Sequence, residues 1–209
     1  MGKAVELAQE DMLKINIEPS GNSEVDKIVF EILDKYNLAE IVSEETGLSW
    51  TTDEINIKHQ DSTADWEGID TVLVNYEHGI WVVSGVAHEM VHLILRQNKW
   101  DESSMISDFI KKHPEIILSG SKRGDGYRIE QIIAYLTQKD IHEEIGRKEG
   151  DERMEKSWGK EKFEKIIEME YNSEFRERLA RTIMRDWETR EKGTNLIEWI
   201  EKVLLNWDK

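Results

Sequence analysis

His88 and His92 stand four residues apart with Glu89 between them, in the run Val86-Ala87-His88-Glu89-Met90-Val91-His92-Leu93-Ile94-Leu95. On a helix, residues at this spacing share one face about one turn apart, so both imidazoles can converge on a single ion. Neutral imidazole nitrogen suits zinc in a tetrahedral shell. Glu89, adjacent to the first histidine, projects beside such an ion and can take the proton of a metal-bound water. The surrounding run is apolar nearly all round, and three polar groups there are costly unless a shared partner satisfies them. The competing explanation is a pair of hydrogen-bonded core histidines.

A catalytic zinc needs a third protein ligand and an open position. A glycine and a third histidine soon after the motif are absent, since Leu95 and Asn98 hold those places, and the chain has no cysteine. A carboxylate from a later helix is left. At this point the chain resembles the gluzincins, the HExxH metallopeptidases whose third ligand is a glutamate on a downstream helix. The run Val86 to Leu95 looks like their active-site helix, and Arg128-Ile129-Glu130-Gln131-Ile132-Ile133-Ala134-Tyr135-Leu136 looks like their glutamate helix. The resemblance covers about residues 70–140 and implies one zinc per chain held by His88, His92 and Glu130, with Glu143, Glu144, Asp125 and His113 in reserve. It further implies a tyrosine or histidine donor near the oxyanion, for which Tyr127, Tyr135 and His78 are the candidates. In such folds the strand before the active helix binds substrate backbone, which assigns Val72, Val74 and Tyr76 to substrate binding. One departure stands out: thermolysin-like members carry an aspartate four residues after the ligand glutamate, orienting a zinc histidine, and here that place is Ala134. Such support must come from elsewhere in this chain. The pattern is more similar to compact intracellular gluzincins.

The elements that would position these groups are readable from periodicity. Val25, Ile28, Val29, Ile32, Leu33 and Tyr36 form a helical stripe behind an N-cap at Ser23. Residues 53–59 alternate, 70–76 are β-branched, and 80–83 could add a third strand. The 80–95 run reads as a core helix, with Ser84 as an internal N-cap. A short helix follows to Lys112, broken by Pro114, and a long one from Tyr127 to Gly146. Later helices are expected at 151–171, 174–190 and 195–207, the last opened by a capping box at Asn195 and Glu198. Trp158, Trp187, Trp199 and Trp207 read as packing between them. The expected fold is therefore α+β and zincin-like: a small sheet on the HExxH helix, with a mostly helical C-terminal half. The expected organisation is an N-terminal segment (1–22, with a polar turn at its end), a metallopeptidase core (23–146) and a helical C-terminal subdomain (147–209). Residues 61–68 read as a polar loop, and the glycine-rich 120–126 stretch lacks the spacing of a phosphate loop.

Composition narrows the partners. The 209 residues carry a net charge of −16, which opposes binding to nucleic acid or anionic membrane. A polypeptide substrate, with basic sequences favoured by the acidic surface, is the expected partner. The hydrophobic fraction of 38% is enough for one good core. The absence of cysteine rules out disulfides, thiol nucleophiles and iron–sulfur clusters. Met1 to Gln9 holds no apolar stretch typical of a secretory leader, so a cytoplasmic location is expected. The mechanism implied is hydrolysis of a peptide bond by a metal-bound water activated by Glu89. The rival class is an acidic helical interaction protein with a non-catalytic metal site.

Overall fold

The computed structural model describes residues 13–62, 64–100, 102–116, 127–156, 160–170, 174–187, 189, 191 and 193–208. Four strands build a small mixed sheet: β1 (Lys14–Ile17), β2 (Glu54–His59), β3 (Asp65–Glu67) and β4 (Thr71–Val74). Their order is β1-β2-β4-β3, with β1, β2 and β4 parallel and β3 antiparallel to β4. The alternation in β2 has its expected result, since Ile55 and Ile57 are buried while Asn56 and Lys58 are not. Ile57 sits opposite Val72, and Val72 opposite Trp66, so one register line carries apolar side chains across three strands.

Two helices make the crossover from β1 to β2. The first, α1 (Ser23–Lys35), is capped by Asn22, one residue before the expected Ser23, because the Asn22 side-chain oxygen takes the N–H groups of Glu24 and Val25. The second, α2 (Leu38–Thr46), is capped by Asn37 and stopped by Gly47 in the left-handed conformation at φ 73°. A 3-10 turn over Tyr76–Trp81 then leads into α3 (Val82–Gln97). The optional strand at 80–83 is thus turn and helix. Its apolar residues are consumed by α3, where every residue from Val82 to Leu95 except Gly85 is buried. Ser84 is no cap; its hydroxyl donates to the Trp81 carbonyl within the helix start.

The C-terminal half is helical: α4 (Ser104–Lys112), α5 (Tyr127–Glu149), α6 (Glu152–Glu155), α7 (Lys160–Glu170), α8 (Glu174–Trp187) and α9 (Leu196–Leu205). Asn195 caps α9 by accepting from the Glu198 N–H. The expected helix over 151–171 comes as two pieces, α6 and α7. Trp187 is buried 6.5 Å from the Trp199 ring, and Trp207 lies 5.7 Å from Phe175, so these indoles pack between helices as expected. Trp158 and the 120–126 stretch lie outside the described residues. α3 is the central element, packed against β3 and β4, against α2, and against α5. One continuous apolar cluster joins Val29 of α1 to Leu204 of α9. The segment before residue 23 shares in it, because β1 pairs with β2 and Ile15 and Ile17 pack on the core. No helix among the described residues is long and apolar enough to cross a membrane.

Candidate metal centre

The polar residues of α3 are deep in this core. His88 retains 9% of its surface, Glu89 5% and His92 none. The rings of His88 and His92 meet edge to face, with centroids 5.3 Å apart. Opposite them, α5 brings Glu130 (3% exposed) and Gln131 (4% exposed), both flanked by buried isoleucines. Glu130 Oε2 lies 3.2 Å from His92 Nδ1, and Gln131 Nε2 lies 2.9 Å from His92 Nε2. Further along α5, Gln138 Oε1 lies 3.2 Å from His88 Nδ1. Later residues of α5 therefore meet earlier residues of α3, so the two helices run antiparallel. The seam between them holds a polar cluster inside an apolar core, which is tolerated only because its members satisfy one another.

The electrostatics follow from that burial. Desolvation pushes the His88 imidazole down to about 3, and the neighbouring His92 adds to the effect, while Gln138 and Gln131 pull against it. A neutral ring is the form that can ligate a metal.

The donor set is of a kind that suits zinc: two imidazoles and a carboxylate, with a buried glutamate adjoining the first histidine. The 3.2 Å between His92 Nδ1 and Glu130 Oε2 is a hydrogen-bond distance. As the side chains stand, no three histidine or carboxylate groups among the described residues enclose an ion. The Gln131 amide occupies the Nε2 side of His92, and Gln138 holds the Nδ1 side of His88.

The other expected site residues divide. Tyr135 is half-buried with its ring centroid 5.0 Å from that of His88, so it borders the pair. Tyr127 opens α5, but its side chain, like Asp125, lies outside the described residues. His78 is exposed on the turn before α3. The reserve ligands are engaged away from the pair: Glu143 with Lys139 at 2.8 Å, Glu144 with Lys148, and His113 stacked on Phe175 at 4.9 Å with Asp208 at its Nε2.

The substrate strand requires a correction. Val72, Val74 and Tyr76 are buried, and β4 is an interior strand, because β2 occupies one side and β3 the other. Tyr76 lies past the strand, its hydroxyl donating to the Glu18 and Ile57 carbonyls. The sheet edge near the histidines is β3. Its Trp66 ring is 6.4 Å from the His92 ring and is covered by the Arg96 guanidinium at 3.8 Å. Gln131, Gln138 and Trp66 are the site neighbours that sequence reasoning missed. The two glutamines carried a signal, being seven residues apart on the inner stripe of an apolar helix.

No family model, curated protein or solved structure matches this chain. The residues of the α3–α5 seam are therefore the whole basis for a functional reading.

Proposed function

We propose that the chain is a zinc-dependent metallopeptidase, with His88, His92 and Glu130 holding the ion and Glu89 as the general base. The observation that carries this reading is the buried cluster itself: two histidines at helical spacing, a glutamate beside the first, and a second buried glutamate 3.2 Å from the other ring. Zinc, when bound, supplies a Lewis acid for the peptide carbonyl and makes water nucleophilic at neutral pH. The Glu89 carboxylate takes the proton of the attacking water and returns it to the leaving nitrogen. Tyr135, beside His88, is the candidate hydrogen-bond donor to the carbonyl oxygen as charge develops there, with Tyr127 and His78 as alternatives. An extended polypeptide adds its backbone to the side of β3 that no strand among the described residues pairs, where Asp65 and Glu67 favour a basic sequence.

One observation favours the rival class, an acidic interaction protein with a structural histidine pair. The histidine ring nitrogens described above already have side-chain partners, so the cluster stands without an ion. Metal analysis and a peptide-library digest separate the two. The metallopeptidase reading expects one zinc per chain. It also expects a Glu89→Gln variant that keeps the zinc but loses cleavage by about 100-fold or more. A zinc-free wild-type protein, or undiminished turnover by Glu89→Gln, refutes it.

A further inference from the structure

A neutral imidazole carries one proton, on Nδ1 or on Nε2, and only the other nitrogen can bind a metal. The partner of the protonated nitrogen decides which it is. In this chain both histidines of α3 face acceptors on α5. Glu130 Oε2 stands at Nδ1 of His92, and Gln138 Oε1 stands at Nδ1 of His88, each at 3.2 Å. An amide oxygen only accepts, so the Gln138 contact favours the proton on Nδ1, while the Gln131 side chain is a second hydrogen-bond partner of the same ring. The Gln131 amide nitrogen can only donate, and at 2.9 Å from His92 Nε2 it selects the same form there. Ala134, between the two acceptors on α5, is buried and has no polar atom to offer either ring. The Tyr135 ring meets His88 edge to face, with centroids 5.0 Å apart.

We propose that Gln138 is the positioning residue of His88, a neutral amide that fixes its ring orientation and keeps Nε2 unprotonated for the ion. The purpose of this device rests on the metallopeptidase reading, but its first test does not. Because the acceptor is an amide rather than a carboxylate, it orients the ring without adding negative charge to the site.

The experiment uses the full chain in two measurements. In chelator-treated protein at neutral pH, imidazole nitrogen shifts in NMR report the His88 tautomer. The expected wild-type ring is protonated on Nδ1, Gln138→Glu keeps that form, and Gln138→Leu loses it. Zinc affinity, by competition with a chelator, is expected to fall about 10- to 100-fold in Gln138→Leu and to recover in Gln138→Glu. A wild-type His88 protonated on Nε2 overturns the proposal whether or not zinc binds, and needs no variant to fold. Equal zinc affinity in wild type and Gln138→Leu also overturns it. A ring held as Nδ1–H by Gln138 in a chain that binds no zinc supports the positioning role and instead removes the metallopeptidase reading.

Discussion

His142 offers a quantitative test of how dry the α3–α5 seam is. It sits on α5 one turn beyond Gln138, 2% exposed, with its ring 5.1 Å from that of Trp81. Burial, reinforced by the Lys162 charge, pushes its folded pKa down to about 4 from 6.5. Between those values the unfolded chain holds a proton that the folded chain does not. The resulting stability is fully present above pH 6.5 and is lost as pH falls toward 4. From pH 7 to pH 5 the loss works out at about 2 kcal/mol for this one group. With a urea slope of about 2 kcal/mol per molar, that is a midpoint lower by about 1 M. The assay is urea unfolding of chelator-treated protein at pH 7 and pH 5, for wild type and His142→Leu. His88, pushed down to about 3, contributes to the acid sensitivity of both proteins and cancels in the comparison. The variant is expected to lose about 1 M less midpoint than wild type on acidification. An equal loss in the two proteins would mean that His142 charges freely in the folded state, and the dry seam would be refuted there.

Two further outcomes are expected. Glu130→Ala should release zinc on dialysis while Glu143→Ala and His113→Ala retain it; retention by Glu130→Ala, measured by metal analysis, would reassign the third ligand. Gly146→Ala should destabilise by about 1–3 kcal/mol, because an added Cβ meets the Glu155 backbone, 2.7 Å from its Cα, at the α5–α6 junction. An unchanged urea midpoint would show that this approach is looser than it stands.

The centre of the fold was legible in the sequence because α3 is apolar on every side, a pattern that only a core helix satisfies. The same property made His88, Glu89 and His92 conspicuous. Glu130 could be singled out because isoleucines flank it and hold it inward. Sheet pairing was not legible. Asp65–Glu67 is three residues with two charges, too short for any alternation to show, yet it covers the side of β4 that sequence reading left open. Whether a strand is interior or edge depends on what lies beside it in space, and periodicity does not report that. Lys14–Ile17 was passed over for the same reason, since a four-residue strand gains its stability from its pairing with Glu54–Ile57. Gln131 and Gln138 escaped because a polar residue on a helix reads as solvated until the facing helix is known.

The side of β3 away from β4, which no strand among the described residues pairs, also bears on why the sheet does not grow. An unpaired strand is a template for any extended chain, including another copy of the same strand. Here the template is three residues long, and Asp65 and Glu67 stand on the same face of it, two residues apart. A second copy pairing edge to edge would set carboxylates against carboxylates, which is unfavourable in proportion to how closely the strands approach. A chain carrying lysine or arginine meets no such penalty. On the metallopeptidase reading, the same two side chains would favour a basic foreign strand over the protein's own.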